Sequence, residues 1–251
     1  MSGAETHEYS NDFYSYINAG SLASARKICP IVYGWLRPAS LLDVGCGAGA
    51  WCKVWKDTGV GEILGVDGDY VDRKSLLIEQ SEFAAYDLSR KMDLGRRFDM
   101  ATSLEVAEHV PESSSRQFVE NLTRHADAIM FSAAVPGQGG EFHINEKPLS
   151  YWRDLFEQAG YRCFDPIRPA VLNDDRVEPW YRYNTLLYVA EGKVLTLSPE
   201  ILRTEIKSGF PIKNVAPLSW RMRNAVIGVL PEFLAAGLVK AKHAWIRRNA
   251  H

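Results

Sequence analysis

The sequence predicts an α/β fold of the nucleotide-binding kind, and three observations predict it. The run Leu41-Leu42-Asp43-Val44-Gly45-Cys46-Gly47-Ala48-Gly49-Ala50-Trp51 reads as the end of a buried strand, a tight glycine turn and the start of a helix, the opening unit of such folds. A second run, Glu62-Ile63-Leu64-Gly65-Val66-Asp67, ends in an acid at the spacing of roughly 20 residues where a carboxylate accepts hydrogen bonds from both ribose hydroxyls. Further short apolar runs then alternate with stretches of helical period, the pattern of strands and their covering helices.

Bulk properties narrow the class. A chain of 251 residues suits one α/β domain with an appendage and can bury a sizeable core. A net charge of −2 gives no global reason to expect a nucleic-acid partner. Cys29, Cys46, Cys52 and Cys163 form no C-x-x-C pair, which argues against a zinc site or a disulfide framework. The opening residues MSGAETHEYSND hold no apolar signal core. No apolar run approaches the ~18 residues of a membrane span. A cytoplasmic, reducing setting is the expectation.

Taken in order, the chain opens with an aromatic stretch, Phe13, Tyr14, Tyr16 and Ile17, followed by a helix over residues 21–35. Ala23, Ile28, Val32, Tyr33 and Leu36 supply its apolar face and Pro38 closes it. Two readings stand open for residues 1–38: a helix packed beside the sheet, or a helical lid that brings Tyr14 or Tyr16 over the cofactor. Trp51-Cys52-Lys53-Val54-Trp55 has the spacing of a helix laying one face on a sheet. Glu82-Phe83-Ala84-Ala85-Tyr86-Asp87-Leu88 reads as a third strand ending in an acid, a ligand to the cofactor or the cap of an Asx turn. Phe98-Asp99-Met100-Ala101-Thr102-Ser103-Leu104-Glu105 reads as the fourth. Glu105-Val106-Ala107-Glu108-His109-Val110-Pro111 then lies at its carboxyl end, the edge where open α/β sheets bind ligands.

A helix over residues 115–125 turns Phe118, Val119 and Leu122 inward, and residues 128–135 form a strongly apolar fifth strand. The loop Pro136-Gly137-Gln138-Gly139-Gly140-Glu141-Phe142-His143-Ile144-Asn145-Glu146 is glycine-rich, then polar. Loops of this kind beside a rigid sheet carry function. A helix over residues 150–159 capped by Gly160, a sixth strand at Tyr161-Arg162-Cys163-Phe164 and a seventh at Asn184-Thr185-Leu186-Leu187-Tyr188-Val189 complete the domain. The domain is assigned to residues 1–192 and a basic helical extension to 193–251. From Arg203 onward nine Lys/Arg face only Glu205 and Glu232, and the apolar runs 225–230 and 233–239 interrupt the charge. That pairing fits helices lying on a membrane surface, or helices packed on the domain or on the partner in a homodimer.

Gly45, Gly47 and Ala50 satisfy the dinucleotide pattern G-x-G-x-x-[G/A], so a nicotinamide-binding oxidoreductase is one reading of the turn. Asp43-x-Gly45-x-Gly47-x-Gly49, however, resembles motif I of the class I S-adenosylmethionine (SAM) methyltransferases. The stretch from about residue 9 to 189 is similar to one bacterial family of them, through LLDVGCGAGAW, LGVDGDYVDR, FDMATSLEVAEHVP, FSAAVPGQGGEFHINEKPLSYW and WYRYNTLLYV. The resemblance implies a Rossmann-like seven-stranded sheet whose last strand runs antiparallel, with helices on both faces, and SAM as cofactor. It places Asp43, Gly45, Cys46, Gly47 and Gly49 at the methionine end, Asp67 and Gly68 at the ribose, and Asp87 and the Leu88 amide at the adenine. Leu104 and Glu105 line the cofactor from the fourth strand. Members of the family commonly accompany glycosyltransferases, which implies a small-molecule or glycan acceptor.

Methyl transfer to an alcohol needs a base, or a metal that acidifies the hydroxyl. His109 and His143 lie at the active edge and titrate near working pH. If a helical turn begins after Leu104, Glu105, Glu108 and His109 share a face at i, i+3 and i+4. With His143 they resemble the divalent-metal motif of small-RNA 2′-O-methyltransferases, which implies Mg²⁺ or Mn²⁺. An amine acceptor requires no base, and a non-catalytic adaptor that keeps the fold is the remaining alternative. Tyr181-Arg182-Tyr183-Asn184 and Trp152 read either as an acceptor pocket or as core.

Overall fold

The computed structural model describes the backbone of residues 11–229 and the side chains of residues 19–228. In chain order the strands are β1 (Ser40–Val44), β2 (Glu62–Asp67), β3 (Phe83–Ala85), β4 (Met100–Leu104), β5 (Ala128–Ser132), β6 (Tyr161–Phe164), β7 (Leu186–Ala190) and β8 (Glu205–Ile206). The α-helices are α1 (Asn11–Leu36), α2 (Ala50–Thr58), α3 (Ser115–His125), α4 (Leu149–Gln158), α5 (Ile167–Val171), α6 (Pro179–Asn184), α7 (Pro199–Leu202) and α8 (Leu218–Val229).

The strands form one sheet in the order β3-β2-β1-β4-β5-β7-β6-β8. Strands β1 to β5 pair in parallel, and β7 runs antiparallel to both β5 and β6. This is the seven-stranded sheet with one reversed strand that the resemblance implies. The addition is β8, a two-residue edge strand antiparallel to β6. It comes from the C-terminal extension and is too short to show a period in sequence.

Successive strand residues point to opposite faces, and both faces are covered. On one side Leu41, Met100 and Met130 pack with Ile28 and Val32 of α1 and with Trp51 and Trp55 of α2. On the other Leu42, Ala101 and Ile129 pack with Phe118 and Leu122 of α3 and with Trp152 and Phe156 of α4. Trp152 is wholly buried in this second layer against Phe131, so it is core. Tyr181 is also buried, with its ring edge on Trp51 and its hydroxyl 3.0 Å from the Ser21 hydroxyl. It ties α6 to α1 and α2.

Three expectations need adjustment. Strand β3 stops at Ala85, and the Tyr86 N–H donates to the Asp67 carbonyl where the chain leaves the sheet. Helix α1 begins at Asn11, ten residues before the expected start, and runs through Pro30. Its residues Ala25, Ile28, Cys29 and Val32 are fully buried, as a helix packed beside the sheet requires. The side chains of Phe13, Tyr14, Tyr16 and Ile17, and with them the lid reading, lie outside the described residues. Finally, the extension is continuous with the body: Val194 and Ile201 enter the core and β8 joins the sheet. The apolar run 233–239 lies outside the described residues. Among the described residues no helix is long and apolar enough to cross a membrane.

Candidate active site

Two loop systems meet at the carboxyl edge of the parallel strands. The first is the glycine turn after β1. Its Gly45 and Cys46 N–H groups both donate to the Val66 carbonyl, at 2.8 and 3.2 Å, which bends the chain across the end of β2. Gly47 N–H donates to Asp67 Oδ2 at 2.7 Å. Asp67 Oδ1 accepts from Gly68 N–H at 2.7 Å and from the Tyr70 hydroxyl at 2.6 Å. Burial pushes the Asp67 carboxyl up, and these three donors oppose the rise. Asp67 thus spans the turn and the end of β2, on the ribose side that the resemblance implies.

Glycine is required at Gly45 for two reasons. Its φ is +83°, a region that L side chains avoid. A Cβ there would also lie 2.3 Å from a Val106 methyl. Gly49 sits in the left-handed region as the N-cap of α2. Asp43, by contrast, is turned into the protein. Its Oδ1 accepts from the Thr102 hydroxyl at 2.6 Å across the β1–β4 register, and its Oδ2 from the Cys52 thiol at 3.5 Å. Burial raises its pKa to about 6. Asp87 forms an Asx turn, accepting from the Ser89 amide and hydroxyl and pairing with Arg90 at 2.9 Å. The Ser89 hydroxyl, first among these partners, holds its carboxyl below the usual range. Leu88 beside it is half-buried.

The second loop system follows β4 and β5. Leu104 is buried at the end of β4, and Glu105 N–H still donates to Ser132 of β5 at 3.0 Å. Glu105 itself takes φ +57°, rare for a side chain of its size and found where surrounding structure holds it. The helical turn that follows it is a 3₁₀ turn over Ala107–His109. The expected face shared by Glu105, Glu108 and His109 therefore does not form, because the left-handed residue redirects the chain before the turn starts. Glu105 Oε2 instead accepts from Gln138 Nε2 at 2.6 Å, and Gln138 Oε1 accepts from Asn184 Nδ2 at 2.8 Å.

Glu108, His109 and His143 do come together, with one donor atom from each within 4.8 Å of the others. Glu105 is not in that group. The His109 and His143 rings meet edge to face at 4.9 Å, and His143 Nε2 lies 3.9 Å from Glu108 Oε1. Ile144 and Asn145 N–H groups donate to the Glu108 carbonyl at 2.9 and 3.0 Å and fix the loop against the turn. Glu108 is fully buried, and neither of its carboxylate oxygens has a hydrogen-bond partner among the described residues; Glu105 Oε1 shares that state. Burial, then the neighbouring Glu105, raises Glu108 well above the normal carboxylate range. Burial also raises Glu105. His109 reaches solvent at one edge, but burial of the rest of its ring and then the nearby His143 lower its pKa to about 4.

Sequence reasoning passed over Gln138, Glu146 and Arg223. Glu146 Oε2 accepts from Gly137 N–H at 2.8 Å, and its Oε1 accepts from Gly139 N–H at 2.7 Å and meets His143 Nδ1 at 2.9 Å. Arg223 of α8 donates to the Gln138 carbonyl at 2.8 Å. The available signal was the loop composition, which marks the segment but not the partners.

The family described as "Methyltransferase domain" matches residues 33–165, more than half of the chain. A malonyl-[acyl-carrier protein] O-methyltransferase from Pseudescherichia vulneris is 26% identical over 113 residues, covering 44% of this chain and 45% of that protein. The match thus spans about half the length of that curated relative. Among solved structures, DesVI of Streptomyces venezuelae superposes with TM-score 0.55 at 15% identity, over 73% of this chain and 100% of that one. The sugar N-methyltransferase KedS8 from Streptoalloteichus sp superposes with TM-score 0.55 at 16% identity, over 76% and 98%. The methyltransferase domain of bacterial CtHen1-C gives 0.50 at 16%, over 68% and 98%. At these identities the superpositions establish the fold.

Proposed function

The chain belongs to the methyltransferase domain family, and on that premise we propose that it transfers a methyl group from SAM to a hydroxyl of a sugar or small natural product. One observation carries the reading: Val106 packs into the space that Gly45 leaves, so the glycine turn and the Glu105–His109 turn share one edge. A cofactor cradled by the first would present its methyl beside the imidazoles of the second. The dinucleotide reading loses its ground, because family membership accounts for Asp43 to Gly49 together.

The reaction is an in-line displacement in which the leaving group is a neutral thioether. Alignment of methyl and acceptor supplies much of the rate. An alcohol must also lose its proton as it attacks. His143 is the base in this reading, because the low pKa of His109 makes it a weak proton acceptor at neutral pH. The turn residues Gly45, Cys46, Gly47 and Gly49 would receive the amino-acid end of SAM, with Asp67 and Gly68 at the ribose and Asp87 and Leu88 near the base. A sugar amine is the alternative acceptor; a solved protein of the same fold is a sugar N-methyltransferase.

The orphaned oxygens of Glu108 favour a second arrangement at the same place. A buried carboxylate with no donor, two imidazoles and a donor spread of 4.8 Å fit a hard divalent cation, with nitrogen ligands favouring Mn²⁺ over Mg²⁺. Such an ion would acidify the acceptor hydroxyl. Glu108, His109 and His143 would hold it, with Glu105 behind them braced by Gln138.

The test is turnover of methyl-labelled SAM against a panel of nucleotide sugars, small alcohols and amines, read by mass shift. Labelled product from a hydroxyl acceptor supports the main reading. Product from amines alone moves the assignment to N-methylation. Turnover that survives chelation and ignores added Mn²⁺ removes the cation.

A further inference from the structure

We propose that Glu146 is the positioning residue of this site: it fixes the proton of His143 on Nδ1 and leaves Nε2 as a free acceptor facing Glu108 and His109. The inference deepens the methyltransferase reading and rests on it for its catalytic consequence.

Two of the donors to Glu146 have no choice of role. Backbone N–H groups only donate. Gly137 N–H is given to one oxygen of Glu146 and Gly139 N–H to the other. Both oxygens are therefore acceptors. The second also meets His143 Nδ1 at 2.9 Å, and a ring nitrogen that faces an accepting carboxylate oxygen must carry the proton. In a neutral imidazole the other nitrogen is then bare. That nitrogen, Nε2, is 3.9 Å from Glu108 Oε1.

The glycines beside Glu146 serve this arrangement. A Cβ on Gly140 would lie 2.2 Å from His143 Nε2, so only glycine leaves room for the ring in this orientation. A Cβ on Gly137 would lie 2.1 Å from the Asn224 carbonyl oxygen of α8. The loop is thus clasped on its outer side by α8, through Arg223 to the Gln138 carbonyl, and on its inner side by Glu146. A free Nε2 is what either role requires, whether the imidazole takes the acceptor's proton or ligates a cation. Glu146 touches neither reactant in this account and acts through His143.

The tautomer is read directly by long-range ¹H–¹⁵N correlation on ¹⁵N-labelled full-length protein, with His143→Gln identifying the His143 signals. The wild type is expected to show the proton on Nδ1. Glu146→Ala is expected to lose that preference and to lower kcat by roughly 10- to 100-fold, the usual effect of removing such a partner, with the KM for SAM unchanged. Glu146→Asp, which keeps the carboxylate, is expected to recover part of the rate. If Glu146→Ala fails to fold, the wild-type spectrum and Glu146→Gln decide. A proton on Nε2 in the wild type overturns the proposal, as does an unchanged tautomer or an unchanged kcat in folded Glu146→Ala. The spectrum needs no acceptor, so it stands even if no methyl transfer is ever found.

Discussion

The two loop systems at the sheet edge differ in how their carboxylates are treated. At the mouth of β1 and β2 each oxygen of Asp43 and Asp67 has a donor. At the mouth of β4 and β5 three oxygens, one on Glu105 and both on Glu108, have none among the described residues. A buried polar atom left unpaired costs about 1–3 kcal/mol; the backbone at Ala134 offsets part of that at Glu108 and the Ser132 hydroxyl part at Glu105. Proteins retain such sites where a ligand or a reaction needs them. In the proposed reaction the first region binds the cofactor and the second carries the chemistry.

The largest expected effect breaks the chemistry alone. His143→Ala should lower kcat by about 10²–10⁴-fold, the range for loss of a general base, while affinity for S-adenosylhomocysteine stays as it was. A joint loss of both would merge the two regions. The next breaks the join between them. Gly45→Ala places a methyl against Val106 and should weaken S-adenosylhomocysteine by at least ~10-fold in calorimetry. Gly45→Ala with Val106→Ala should recover part of that loss, since the two methyl contacts are gone while the 2.9 Å approach to the Val106 Cβ and the backbone strain remain.

A smaller effect sharpens the contrast in stability. Glu108 has its carboxyl raised in the folded protein. Its contribution is fully present below the unfolded value near ~4.3 and is lost as pH rises through the folded value. Glu108→Gln should therefore stabilise the metal-free protein at pH 8 by about 1 kcal/mol, roughly 2–4 °C in melting temperature, and change little at pH 4. His109 has the opposite sign. Its folded pKa of about 4 lies below the unfolded value of ~6.5, so its contribution is present above that value and lost as pH falls. His109→Gln should slightly flatten the acid side of a pH–melting curve, and an unchanged slope would show that the solvated edge of the ring governs it.

The same contrast explains what the sequence could reveal. The binding mouth is local: Asp43 to Gly49 are consecutive in the chain, and Asp67 closes the turn one strand later. Even so, the hydroxyl of Thr102 that takes up Asp43 comes from β4 and carries no mark in sequence. The chemical mouth is assembled from afar. Glu108 and His143 are legible as residue types, but the left-handed Glu105 is not, because nothing about a glutamate announces φ +57°. The face it was expected to share with Glu108 and His109 fails because that residue redirects the chain and the turn after it is a short 3₁₀ one. The Glu105–Gln138–Asn184 chain and the clasp from Arg223 depend on pairings 33, 46 and 85 residues apart, beyond the reach of periodicity. Strand β8 is missed because two residues have no pattern.

The central claim is a division of labour along one edge, and calorimetry with S-adenosylhomocysteine on wild type, Asp67→Asn and His143→Ala tests it most directly. The account predicts a clear binding heat for the wild type, affinity about 10- to 100-fold weaker for Asp67→Asn through loss of charged hydrogen bonds, and wild-type affinity for His143→Ala. No heat with the wild type, or equal weakening in both variants, would contradict it.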